Sequence, residues 1–346
     1  MDGPTSRILA EHTTLRVGGA ADSWMIASSE ADLCAAVREC DADGVPVLLL
    51  GGGSNLLVAD DGFRGRVVQV ATQGREVVEE GDDSVTVRLA AGEVWDDVVL
   101  WAVGHGWTGV EALSGIPGLV GATPLQNVGA YGQDVAQTVV SVRALDRTTG
   151  DVVELSETEC GFGYRTSRFK TDPDRWVILG ATMRLGTSGT GRIGYPELAR
   201  ELGAAVGALA PVAAIRDAVL KLRGRKGMVL AADDHDTWSA GSFFTNPIVA
   251  PETAAELTAD CPRYPAAEGV KLSAAWLIGH AGIEPGFGLR SDAPARISSR
   301  HTLALTNRGG ATAEDLLELA RAVRDRVRDT FGITLEPEPR LVNCAL

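Results

Sequence analysis

Val45-Pro46-Val47-Leu48-Leu49-Leu50-Gly51-Gly52-Gly53-Ser54-Asn55-Leu56 decides how this chain is read. A short apolar run stops at three glycines, which reads as a buried strand feeding a glycine loop. Without side chains, the backbone N–H groups of Gly51, Gly52 and Gly53 can approach phosphate oxygens closely. Ser54 and Asn55 can add side-chain hydrogen bonds. The loop is not a Walker loop, because no Gly-Lys-Ser/Thr follows. It is not a dinucleotide fingerprint either. Leu56 stands where the third glycine belongs, and Leu56–Val58 continues apolar without opening a helix. On the glycines alone, a tight turn between two strands is an equal reading.

Outward from that loop the pattern is α+β. Ser29 to Asp43 has helical spacing, with Leu33, Ala36, Val37 and Cys40 on one face and Gly44 closing it. Arg66–Val70 and Val85–Ala90 read as strands, and Val94–Val103 as a short helix. From Thr108 to Asp134 periodicity disappears, yet Ile, Leu, Val and Tyr are too frequent there for disorder. A loop of that length inside a compact domain is usually functional. Strands are predicted at Thr138–Leu145, Val152–Leu155 and Trp176–Leu185. Gly186 to Gly194, rich in glycine, serine and threonine, reads as a linker. Helices are predicted at Val212–Leu222, Lys271–Ile278 and Thr312–Thr330, the last with Thr312 and Asp315 as a cap and Gly332 as a stop. Ile333–Val342 reads as extended, and Gly227–Trp238 as a solvated loop.

The chain has 346 residues, enough for more than one domain, and 45% of them are hydrophobic. Its 32 Lys and Arg against 46 Asp and Glu give a formal net charge of −14, so a nucleic-acid partner is not expected. Met1-Asp2-Gly3-Pro4 lacks the pattern of a secretory leader, and the apolar run near Gly51 is too short and broken to span a bilayer. The cysteines (Cys34, Cys40, Cys160, Cys261, Cys344) are scattered singly, which reads as reduced thiols in a cytoplasm with no structural zinc. Asp233, Asp234 and Asp236 flank His235, but no metal is expected.

A second glycine-rich segment shifts the balance at the first. Ile116-Pro117-Gly118, Gly121-Ala122 and Gln126-Asn127-Val128-Gly129-Ala130-Tyr131-Gly132 follow Gly51–Leu56 in order and spacing. Here the chain resembles the FAD-binding domain of vanillyl-alcohol-oxidase-type flavoenzymes, and in particular the UDP-N-acetylenolpyruvoylglucosamine reductase family. The likeness runs from about His12 to Leu341. It implies non-covalent FAD held by both segments: Gly51, Gly52, Gly53, Ser54, Asn55 and Leu56 at the pyrophosphate, with Ile116, Pro117, Gly118, Gly121, Ala122, Gln126, Asn127, Gly129, Ala130 and Tyr131 lining the rest. It also implies a two-part FAD-binding domain over residues 1–190 (about 1–70 and 71–190), then a smaller α+β substrate domain over 200–346.

Three further stretches carry the family's chemistry. Gly163-Tyr164-Arg165-x-Ser167-x-Phe169-Lys170 resembles its arginine motif, and Arg165 its catalytic arginine, since a guanidinium stays charged and binds a carboxylate through two N–H groups. On charge alone Arg165 reads as a surface residue of a basic stretch. Ala240-Gly241-Ser242-Phe243-Phe244-Thr245-Asn246-Pro247 resembles the serine motif, with Ser242 as proton donor; a lone serine there also reads as a turn cap. Leu335-Glu336-Pro337-Glu338-Pro339-Arg340 resembles the glutamate motif, with Glu338 catalytic; by composition it is an extended solvated tail. The three in family order, behind a matching flavin segment, outweigh those separate readings.

Substrate contacts implied by the likeness are Tyr195 on a mobile loop, Lys226 at the diphosphate, Asn246, and His280 where the family has glutamine. The implied reaction is reduction of UDP-N-acetylglucosamine enolpyruvate to UDP-N-acetylmuramate, with NADPH as co-substrate, in a cytoplasmic monomer with no membrane partner. The site is expected where the domains meet. A sugar or alcohol oxidase on the same FAD-binding fold is the rival, and a non-catalytic nucleotide-binding module is the rival of another class. Neither needs Arg165, Ser242 and Glu338 together.

Overall fold

A computed structural model describes residues 7–346, so the reading of Met1-Asp2-Gly3-Pro4 falls outside the described residues. Packing divides the chain into two units. The first holds Arg7, Ala21–Gly52 and Arg64–Arg225, and the second holds Ile8–Ala20, Gly53–Phe63 and Lys226–Leu346. The glycine loop therefore straddles the division. The later cut falls at Arg225–Lys226, beyond the glycine-rich stretch read as a linker. That stretch carries the strand Thr190–Arg192, paired antiparallel with Leu209–Pro211. Ile193 beside it is fully buried among Leu198, Ile215 and Val219, which is why it folds with the first unit.

In the first unit, Val47–Leu50 runs parallel to Phe63–Val70 in a three-stranded sheet completed by Ala21–Ala27. The helix Glu30–Asp43 starts at Ser29, whose hydroxyl accepts the Asp32 N–H, and ends at Gly44. It buries the predicted face, Leu33, Ala36, Val37 and Cys40. Its core includes Val68 of the small sheet and Leu145, Val177 and Leu179 of a larger one. That larger sheet has five antiparallel strands in the order Val152–Ser156, Val139–Asp146, Trp176–Gly186, Ser84–Ala90 and Arg75–Glu80. The edge strand Arg75–Glu80 escapes sequence reading because all its residues are exposed, so no apolar alternation marks it. The glycine-rich stretch after Thr108 is ordered by short 3-10 turns at Glu111–Leu113, Val120–Ala122 and Val135–Gln137.

In the second unit, the helix Ala313–Phe331 begins with the expected cap of Thr312 and Asp315 and ends at Gly332. Leu316, Leu319, Ala320, Val323 and Val327 put its apolar stripe into a core with Leu57, Phe243, Phe244 and Leu277. The helix predicted at Lys271–Ile278 is split. Gly269–Leu272 is a strand between Ile248–Val249 and Arg263–Ala266, and the helix starts only at Ala274 because the Ser273 hydroxyl caps it. The extended C-terminal segment ends in Arg340–Val342, parallel to Leu56–Val58. Among the described residues, no helix is long and apolar enough to cross a membrane.

Candidate active site

In the first unit the two glycine segments lie side by side. A Cβ at Gly52 would stand 2.9 Å from the Gly118 Cα, and one at Gly51 would meet the Leu119 side chain at 3.5 Å. Two backbones therefore approach as closely as they do because Gly52 and Gly118 carry no side chains. Further along, Gly129–Ala130 pairs with Gln133–Asp134 across a turn of Tyr131 (φ 48°) and Gly132 (φ 89°). Burial pushes the Tyr131 phenol up to about 12. The Tyr195 ring meets Tyr131 edge to face at 5.8 Å, stays 43% exposed, and opens the helix Pro196–Glu201.

Arg165 sits in a tight turn whose ends, Gly163 and Thr166, bond each other (Gly163 N–H to Thr166 O, 3.0 Å). Its φ is 51°, a left-handed value that costs a non-glycine residue energy. Its guanidinium donates to the carbonyls of Gly129 (2.8 Å) and Asn127 (3.5 Å). Lys170 donates to the Arg165 carbonyl at 2.9 Å. The structure thus places Arg165 on the Gln126–Tyr131 segment, which sequence reading gave to the cofactor.

In the second unit, three motifs far apart in sequence are joined by backbone hydrogen bonds. The Glu338 N–H donates to Phe243 O (2.8 Å), the Thr245 N–H to Glu336 O (3.0 Å), and the Arg340 N–H to Asn55 O (3.0 Å). The Asn55 amide also donates to Glu338 O at 3.4 Å. Asn55 and Leu56, the serine motif and the glutamate motif form one seam. Phe243 and Phe244, each 1% exposed, anchor it by packing edge to face at 5.1 Å. Gly53 begins it with φ 59°, and a Cβ there would run into the His12 carbonyl oxygen at 1.9 Å. Beside it the Thr14 N–H donates to Gly53 O (3.1 Å), while the Thr14 hydroxyl, on a residue 6% exposed, has no hydrogen-bond partner among the described residues. A buried unsatisfied hydroxyl costs about 1–3 kcal/mol, so it suits a site completed by a polar ligand. The residues present fit a flavin nucleotide.

The other expected substrate residues are placed less tightly. Asn246 spends its carbonyl oxygen on the Ala274 N–H, 2.9 Å away, at the start of a helix. His280 stacks on Trp276 (3.8 Å, 17°) and faces Asp260 at 3.5 Å, so its nearest partners lie outside the seam. Lys226 opens the stretch read as a solvated loop, and that reading is corrected. Asp236 is 6% exposed and takes Ser299 (2.6 Å), Arg300 (3.1 Å) and Arg308 (2.8 Å), while Asp234 takes Arg300 at 2.6 Å. The loop is pinned because a buried carboxylate needs cationic partners. These lie more than sixty residues away, where no local pattern could announce them.

Comparison with known proteins gives one answer along the whole chain. Residues 21–156 match the FAD binding domain family, and residues 233–342 match the C-terminal domain of UDP-N-acetylenolpyruvoylglucosamine reductase. The UDP-N-acetylenolpyruvoylglucosamine reductase of Cutibacterium acnes is 52% identical over 98% of this chain and 90% of its own. That of Nocardia farcinica is 54% identical over 98% and 89%. The crystal structure of UDP-N-acetylenolpyruvylglucosamine reductase from Thermus caldophilus matches with TM-score 0.63 at 26% identity, over 97% of each chain.

Proposed function

Since this chain belongs to the UDP-N-acetylenolpyruvoylglucosamine reductase family, we propose that it reduces UDP-N-acetylglucosamine enolpyruvate to UDP-N-acetylmuramate with electrons from NADPH. The observation that carries this reading is the seam in the second unit, where the serine and glutamate motifs bond each other and the end of the glycine loop. Gly51–Leu56 and the residues named between Ile116 and Tyr131 would hold the flavin, Asn127 excepted because its amide is spent on Gly163 and Ala136. FAD, when bound, supplies the hydride for the enolpyruvyl double bond.

The chain's own residues do the rest. Arg165 binds the substrate carboxylate and offsets the negative charge that develops beside it. Glu338 acts with it at the enolate. Ser242 gives a proton to the neighbouring carbon, a general-acid role. Lys226 holds the diphosphate, with Tyr195, Asn246 and His280 as further substrate contacts. The free cysteines suit a cytoplasmic enzyme, taken here as a monomer.

The test is an absorbance spectrum of the purified protein, followed by NADPH addition with and without the UDP-sugar. The expected result is a flavin spectrum that bleaches with NADPH and recovers when the enolpyruvyl sugar is added under anaerobic conditions. Bleaching by simple sugars with recovery under oxygen, and no recovery with the UDP-sugar, would turn the reading to an oxidase.

A further inference from the structure

Asn127 stands in a segment whose resemblance assigns it to the cofactor, yet its side chain is spent elsewhere. Its amide N–H donates to Gly163 O at 3.1 Å, and its amide oxygen accepts the Ala136 N–H at 3.1 Å. The residue is 8% exposed and held at φ 45°, a conformation that Asn tolerates better than most residues. Gly163 is the first residue of the turn that carries Arg165, and its other bonds close that turn onto Thr166. The Asn127 carbonyl in addition accepts from the Arg165 guanidinium. On the far side of the turn, Ser167, 1% exposed, donates to Leu125 O at 2.6 Å. Both ends of the arginine turn are thus fastened to residues 125–127.

We infer that Asn127 is a positioning residue for Arg165: through Gly163 it fixes the turn whose left-handed backbone aims the guanidinium. The inference rests on Arg165 acting on the substrate, as proposed above. A turn with a strained residue at its tip persists only when its surroundings over-determine it. Asn127 makes one of the bonds that do so, from its amide to Gly163 O, while its amide oxygen ties it to Ala136 and its carbonyl accepts from the guanidinium itself. Removing the side chain frees the turn to relax, and the arginine loses its aim while keeping its charge. Misplacement of a binding group by about 1 Å is enough to cost about 100-fold in rate.

The experiment uses the flavin-loaded enzyme and four variants: Asn127→Gly, Asn127→Asp, Arg165→Lys and the double variant Asn127→Gly/Arg165→Lys. Glycine keeps the left-handed backbone accessible and deletes the clamp. Aspartate keeps the acceptor for Ala136 but sets a carboxylate oxygen against the Gly163 carbonyl in place of the donor, so it breaks the clamp and serves if the glycine variant folds poorly. Flavin content, bleaching by dithionite or NADPH, and reoxidation by the enolpyruvyl UDP-sugar are measured separately. Flavin content and bleaching are expected to stay within about twofold of the parent, while Asn127→Gly slows reoxidation by about 10- to 100-fold. The double variant should be little slower than Arg165→Lys alone, because residues acting as one unit are not additive. Loss of flavin from Asn127→Gly, with normal reoxidation after reloading, would make Asn127 a cofactor ligand and overturn the inference. Multiplying effects in the double variant would overturn it too. Normal reoxidation in Asn127→Gly beside a slow Arg165→Lys sinks only the inference. Normal reoxidation in Arg165→Lys sinks the proposed role of Arg165 and the inference with it.

Discussion

Arg165 and the pair Ser242 and Glu338 are held by different means. The arginine turn, closed by backbone bonds between Gly163 and Thr166, is fastened to its surroundings by side chains: Asn127 and Lys170 donate to carbonyls within it, and Ser167 at its end donates to Leu125 O. The seam bearing Ser242 and Glu338 is fixed by the backbone, through N–H groups of Thr245, Glu338 and Arg340. A side-chain clamp can be undone by one substitution that leaves the chain path open. A backbone seam ignores most substitutions and fails only when an N–H is removed or the phenylalanine anchor is emptied. The same reaction would thus depend on one region that is mutationally brittle and one that is tolerant.

The largest effect sharpens this contrast from the tolerant side. Ser242→Ala removes a half-buried hydroxyl and none of the seam's backbone bonds. Its thermal midpoint should match the parent's within error, and flavin bleaching by NADPH should be normal. Reoxidation by the UDP-sugar should slow by about 10²–10⁴-fold, the usual worth of a general acid. Stopped-flow absorbance separates the two steps. Equal slowing of both would mean that the seam had been disturbed and the tolerance is illusory.

A pair of substitutions at Thr245 comes next. Thr245→Pro deletes the N–H that donates to Glu336 O, and leaving that carbonyl without its backbone partner costs about 1–3 kcal/mol. Thr245→Ala keeps that N–H and gives up only a long hydroxyl contact to the same carbonyl (3.4 Å), so its cost should stay within about 0.5 kcal/mol. Urea midpoints of both variants measure the gap. If alanine proves as harmful as proline, the seam depends on side chains after all.

How much of this was legible in the sequence follows the same division. The strand into Gly51, the helix Glu30–Asp43 and the helix Ala313–Phe331 were readable because caps, stops and apolar spacing are local. Arg165, Ser242 and Glu338 were singled out by resemblance to a family, since a lone arginine, serine or glutamate has no local signature. What holds them was hidden. Asn127 reaches across 36 residues to Gly163, and Asn55 across 283 to Glu338. Val77, Val78 and their neighbours gave no sign of a strand, because an exposed edge lacks the alternation that burial imposes.

The last prediction asks whether the second unit also contains a side-chain clamp of the brittle kind. Asp236 is the candidate, buried within the loop that follows Lys226 and facing Ser299, Arg300 and Arg308. Burial alone would raise its carboxyl, but the Ser299 hydroxyl, the Arg308 charge and the Arg300 hydrogen bond outweigh it and hold the group below the ordinary carboxylate range. A carboxyl depressed in the folded chain contributes stability that is fully present above its unfolded value of about 3.9 and is lost as pH falls through the lower folded value. Asp236→Asn keeps the shape and removes the charge. At pH 7 it should cost about 1–3 kcal/mol, the worth of hydrogen bonds to a charged partner. The gap between the parent and Asp236→Asn should hold steady from pH 7 to about 5 and close as pH drops below about 4, because asparagine does not titrate. Urea midpoints at three or four pH values follow it. A gap that stays constant into acid would show that shape and neutral hydrogen bonds hold this loop, leaving the arginine turn as the brittle region.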